Sequence, residues 1–231
     1  MKNLEMVTAL IAAPRRLFAE LEERPRVWFP LLLTIIATVA ITVWYYSYVD
    51  ISWFRDQLFS GNARGAQMTD AQRQQINAII GRGLLTTVSA IAIPIVLLIS
   101  RLIESTYYLL MGNLTGVRKP FKHWWSFSWW TGLPSVISVV PAALILILGD
   151  SHQIEASALA PLSLNELVFH RHMSESGYSL WTTLSLIHPF MWWLAVVGMQ
   201  VWSKRSAVFS AIVALLGPAL FYGCWAVLAL R

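Results

Sequence analysis

The fold predicted is an all-α integral membrane protein, a bundle of five transmembrane helices preceded by a short amphipathic interfacial helix. Composition is the first ground: of 231 residues, 57% are hydrophobic and only 13% charged, about half the charge share of an average soluble domain. The second is five long apolar windows, each able to supply the roughly 20 helical residues that a bilayer core demands, because lipid offers backbone N–H and C=O groups no partner. The third is that Lys and Arg gather between alternate windows. Residues 1–26 then form a cytoplasmic amphipathic segment and residues 27–230 a single transmembrane domain, with spans at about 27–47, 83–104, 127–148, 180–202 and 206–229.

The N-terminal stretch Asn3 to Pro25 breaks at Pro14 into two short pieces. Pro14 suits a first helical turn, and after it Leu17, Phe18 and Leu21 share one face while Arg15, Arg16, Glu20, Glu22 and Glu23 point elsewhere. That apolar face lies on the acyl boundary or packs on the protein's own inner surface. Glu5, Pro14 and Glu20 interrupt any apolar run before the first span, so a cleaved secretory signal is not expected.

The first span, Val27 to Tyr46, carries no charge and has Trp28, Trp44, Tyr45 and Tyr46 at its edges, where amphipathic rings favour the headgroup boundary. The second runs from Gly83 through Arg101, and Gly112 and Asn113 stand where a helix would stop. Arg101 and Glu104 fall at the inner interface, on one helical face, as partners. Arg101 either snorkels to headgroups or the pair faces inward against another span or subunit. Arg118, Lys119 and Lys122 precede Trp124, Trp125, Trp129 and Trp130, a grouping that anchors a helix and attracts anionic lipid. These tryptophans lead straight into a span, which excludes nucleic acid as the partner. Pro94, Pro134, Pro141, Pro189 and Pro218 fall inside the second to fifth windows as packing kinks or parts of a gated path. His188, before Pro189, is a packing or proton-path residue, and Cys224 is expected to be a small core residue.

With the N-terminus inside, the inner segments hold ten cations, Lys2, Arg15, Arg16, Arg24, Arg26, Arg118, Lys119, Lys122, Lys204 and Arg205. The outer segments hold six: Arg55, Arg64, Arg73, Arg82, Arg171 and Arg231. The short loops decide, since the loop from Asp150 to Ser176 has four acids and one Arg while the inner ones are basic. Positive loops stay cytoplasmic. A multi-pass protein of the inner (plasma) membrane follows, N-terminus cytoplasmic and C-terminus outside or periplasmic.

The stretches LIAAPRRLFAELEERPRVWFPLLL, GNLTGVRKPFKHWW and WWTGLPSVISVVP, spaced as they are from Leu10 to Leu230, resemble the Yip-one domain of the Ypt/Rab-interacting membrane proteins. The resemblance implies a five-span protein with a cytosolic N-terminus. Eukaryotic relatives are linked to Rab GTPases and carry a long cytosolic N-terminal region and an Asp-Leu-Tyr-Gly-Pro motif, both missing here. Their Gly-Tyr-Ser-Leu tetrad occurs at Gly177 to Leu180, before the fourth span rather than in the third. The bacterial branch is implied, some members of which look like accessory subunits of ABC-type exporters.

No HExxH, Walker loop, GxSxG or CxxC is present, so no catalytic, cofactor or metal residues are assigned. His170 and His172, with Glu166 and His152, form the one weak metal-like grouping, in a loop with no evident rigidity. The function expected is a non-enzymatic membrane scaffold or adaptor, an accessory of a membrane transport complex, contacting lipid and another membrane protein or a second copy. The alternative is a small transporter or channel component that uses Arg101, Glu104 and His188. Arg118, Lys119 and Lys122 complete the candidate interaction positions.

Overall fold

The computed structural model describes residues 1–60 and 68–230; Arg64 and Arg231, both counted on the outer side, lie outside the described residues. In chain order the helices are α1 (Asn3–Ala12), α2 (Pro14–Glu23), α3 (Trp28–Tyr48), α4 (Ile51–Ser60), α5 (Asp70–Ile79), α6 (Arg82–Thr115), α7 (Phe121–Gly132), α8 (Val139–Leu148), α9 (Tyr178–Thr183), α10 (His188–Ser203) and α11 (Ala207–Ala229). A 3₁₀ segment, Leu133–Ser138, joins α7 to α8. Among the described residues four helical stretches are long and apolar enough to cross a membrane: Trp28–Tyr48, Arg82–Thr115, Phe121–Leu148 and Ala207–Ala229.

The predicted fourth window is not one helix. Leu184 to Ile187 leave the helical path between α9 and α10, and the Leu184 carbonyl accepts from Leu164 N at 2.7 Å while Leu186 N donates to the Leu162 carbonyl at 2.9 Å. Ser163 and Ser185 form an isolated antiparallel bridge there. Pro189 sits in the first turn of α10, where its missing N–H costs nothing. It starts a helix and does not kink one.

Two compact units make up the chain. Unit 1 comprises Met1–Ile35, Val96–Ser135 and Ile187–Cys224, and unit 2 comprises Ile36–Ile95, Val136–Leu186 and Trp225–Arg231. The chain therefore passes from one unit to the other five times.

Unit 1 is built round aromatic side chains. Leu17, Phe18 and Leu21 of α2 are fully buried, against α7 and α10. Phe18 meets Phe127 with centroids 5.3 Å apart, and Trp202 Nε1 donates to the Phe18 carbonyl at 2.8 Å. Of the two placements open to the α2 face, the protein's own surface is the one observed. Trp124, Trp129 and Trp130, expected as interfacial anchors, are buried as well, with Trp124 packed on Tyr108 and Trp202. An indole serves a core and a headgroup boundary equally, and here three neighbouring helices enclose the rings.

The Pro218 kink is satisfied within unit 1. A proline at that position removes the bond that the Ala214 carbonyl would accept, and the buried Tyr108 hydroxyl donates to that carbonyl at 3.4 Å. At the preceding residue, the Tyr107 hydroxyl donates to the Val213 carbonyl at 2.7 Å. The ring of Tyr107 fits because residue 217 is glycine, where a Cβ would come within 2.9 Å of it. Cys224 is exposed on α11, not a core residue. Little of that helix is covered by the protein: 11% of its apolar window is buried.

In unit 2, Ile41, Tyr45, Val49, Phe54, Ala142 and Leu146 form the core. Tyr45 and Tyr48 donate to the Ile154 and Gly149 carbonyls at 2.7 and 2.9 Å. Arg82 caps the C-terminal end of α3, donating to the carbonyls of Tyr46 at 2.8 Å, Val49 at 3.1 Å and also Ser47. Those carbonyls are the ones a helix end leaves without partners, and a cation suits the negative end of the helix dipole.

Candidate interaction site

Helix α6 shows why the Arg101–Glu104 pair lies where it does. None of its apolar window is buried, and its buried residues, Ser105, Tyr108 and Gly112, all fall in the C-terminal part. With Arg101 they make a stripe at spacings of four, three and four, one face of an α-helix. Gly112 belongs to that stripe as a packing residue, since a Cβ there would stand 2.6 Å from Trp124 Cζ2 and 2.7 Å from the Val117 carbonyl. It does not end the helix, as the sequence suggested. The helix runs on to Thr115, and Gly116, at φ +82°, supplies the left-handed turn that stops it.

Arg101 and Glu104 form an ion pair of 2.6 Å, their side chains 13% and 31% exposed. The Arg101 guanidinium also donates to the Ser128 carbonyl at 3.3 Å and stands 5.9 Å from the Trp129 ring centroid. Ser128 Oγ returns a bond to Glu104 Oε2 at 3.0 Å. A Cβ on Gly132 would overlap the Arg101 guanidinium, so α7 opens a slot for it with its one glycine. Two charges, one serine and one glycine thus clamp α6 to α7. In a bundle such small residues let backbones approach, and polar side chains bond across the contact.

The remaining candidate positions are held separately. Lys119 Nζ bonds Glu22 Oε1 at 2.6 Å, and His123 Nε2 reaches the Glu22 carbonyl at 3.2 Å, which ties the end of α2 to the start of α7. The Arg26 carbonyl accepts from Ser126 Oγ and Trp130 Nε1, each at 2.8 Å. Arg118 and Lys122 are exposed. His188 Nε2 lies 3.0 Å from the Tyr222 hydroxyl of α11. Ser128, Gly132, Glu22 and Tyr222 were not singled out in the sequence. The alternation of small and aromatic residues in WWSFSWWTG is the signal that points to the first two, because Ser128 and Gly132 are one turn apart.

In unit 2, His152 Nδ1 bonds the Tyr48 carbonyl at 2.7 Å, and Asn165 holds the loop before His172 through both its Arg171 backbone bonds, each 3.1 Å. Among the described residues no group of three or more His, Cys, Asp or Glu side chains is gathered to hold a metal.

A family model described as the Yip1 domain matches residues 8–228, nearly the whole chain. The chain belongs to the Yip1 domain family. The match takes in α2, the clamp and every candidate span of this Yip1 protein. Among curated proteins and solved structures nothing matches it.

Proposed function

We propose that this Yip1 protein is a non-enzymatic scaffold of the inner (plasma) membrane that crosses the bilayer five times, N-terminus cytoplasmic and C-terminus outside, and holds another integral membrane protein. The observation that carries the layout is the series of candidate spans, Trp28–Tyr48, Arg82–Thr115, Phe121–Leu148 and Ala207–Ala229, with the apolar fourth window of α9 and α10 between the third and the last. The fourth crossing is then a broken helix, tolerated because residues 162–164 pair with its open backbone. Charge supports the orientation: with the N-terminus inside, the inner segments hold ten Lys and Arg and the outer ones six. Helix α1 lies in the interface, since Leu4 and Ile11 are 77% and 64% exposed while Met6 and Leu10 are buried beneath them.

The scaffold role is supported by how the charges are used. A transport path needs Arg101 and Glu104 turned toward a ligand, whereas both satisfy each other and Ser128. What α6 offers outward is apolar: Ile95, Ile99 and Ile103 are each at least half exposed. The partner proposed is a subunit of an ABC-type exporter or a second copy of the chain. Single cysteines at these three positions, placed in a Cys224→Ser background and cross-linked in native membranes, are expected to trap one discrete protein–protein adduct. A chain that stays monomeric, with no adduct at any of the three, contradicts the proposal.

A further inference from the structure

Unit 2 contains a half-open cavity of about 230 Å³ between α4, the segment at residues 155–156, the loop at residues 172–174 and the first residue of α9. Three aromatic side chains, Trp53, Phe54 and Tyr178, line it together with Glu155 and His172. The wall from α4 is held in place. Asp50 Oδ1 caps α4 by accepting from Ser52 N and Trp53 N at 2.9 and 3.2 Å. Phe54 packs edge-on against Tyr45 and Tyr46.

Among the described residues the carboxylate at this cavity has no counter-ion. The arginines next to the lining residues Phe54 and His172 are engaged elsewhere: Arg55 donates to the Asn77 carbonyl at 2.7 Å, and Arg171 pairs with Glu175 at 3.8 Å. Among the described residues Glu155 forms no ion pair, and its carboxylate meets only the Ser157 hydroxyl, at 3.5 Å. An anion beside several aromatic rings is the arrangement that recognises an organic ammonium group, through charge on one side and ring quadrupoles on the others. Size narrows the class further, because drug-sized ligands occupy roughly 300–1,000 Å³. This cavity admits a headgroup.

We infer that the cavity of unit 2 binds a small organic ammonium ion, with Glu155 as counter-charge and Trp53, Phe54 and Tyr178 as its aromatic wall. The ammonium belongs either to a soluble amine or to the headgroup of a phosphatidylethanolamine molecule. The full-length chain in maltoside micelles, titrated calorimetrically with choline and with ethanolamine at constant ionic strength, tests the soluble source. Nanodiscs of phosphatidylglycerol with and without phosphatidylethanolamine test the lipid source through the unfolding temperature.

Saturable binding of choline or ethanolamine, weakened about tenfold by Glu155→Gln and again by Trp53→Ala, supports a soluble amine; tenfold corresponds to about 1.4 kcal/mol. No binding in micelles, combined with a phosphatidylethanolamine-dependent rise in unfolding temperature that Glu155→Gln abolishes, supports the lipid. Glu155 is exposed, so its glutamine variant keeps the fold. Absence of both effects overturns the inference, as does binding that Glu155→Gln leaves unchanged.

Discussion

Glu104→Ala is expected to lower the stability of the detergent-purified protein by about 3 kcal/mol, because it strands the Arg101 guanidinium in its slot on α7 without a counter-charge. The ion pair is 2.6 Å long and Arg101 is largely enclosed. Replacing both partners together, Arg101→Met with Glu104→Leu, is expected to recover most of that loss, since two apolar side chains of similar length leave no charge uncompensated. Denaturant titration followed by tryptophan fluorescence reads both variants. Equal stability of Glu104→Ala and wild type would mean that the pair lies open to headgroups and clamps nothing.

The second large effect concerns the seating of α2. Phe18→Ala removes a ring with no exposed surface, and is expected to cost about 3–5 kcal/mol through lost burial and the cavity left behind. Trypsin should then cut at Arg15 or Arg16 of the unseated α2; in the intact protein the Arg15 guanidinium bonds Gln200 of α10. Gly198 lies against the same ring and against Phe127. A Cβ at that position would stand 2.5 Å from Phe127 and 2.8 Å from Phe18, so Gly198→Val is expected to expose the same sites. Protection unchanged in both variants would show that the segment is held by something other than this contact.

The spans were legible for a physical reason: lipid forces backbone groups to pair within a helix, so long apolar windows announce themselves whatever their neighbours do. Windows 27–47 and 206–229 accordingly match α3 and α11. What hydropathy does not encode is which apolar surface meets lipid and which meets protein. The four tryptophans of α7 were read as boundary anchors for that reason, and three of them, Trp124, Trp129 and Trp130, fill the core of unit 1. Gly112 was read as a helix stop because glycine is a good terminator, while its use here is close approach to Trp124. The break at residues 184–187 depends on backbone bonds to residues 162–164, a pairing that no periodicity within the fourth window records. The ion pair itself was visible as an i, i+3 spacing, but its slot needed Ser128 and Gly132 from another helix.

Sided labelling of single cysteines in a Cys224→Ser chain tests the five-crossing scaffold most directly. Positions 113, 153 and 204 are to be probed with a membrane-impermeant maleimide in right-side-out and inverted vesicles, alongside a C-terminal tag read by protease access. The layout predicts positions 113 and 204 reactive only from the cytoplasmic side, and position 153 and the tag accessible only from outside. Reaction of positions 113 and 153 from the same side, or a C-terminus on the cytoplasmic face with the N-terminus, would contradict it.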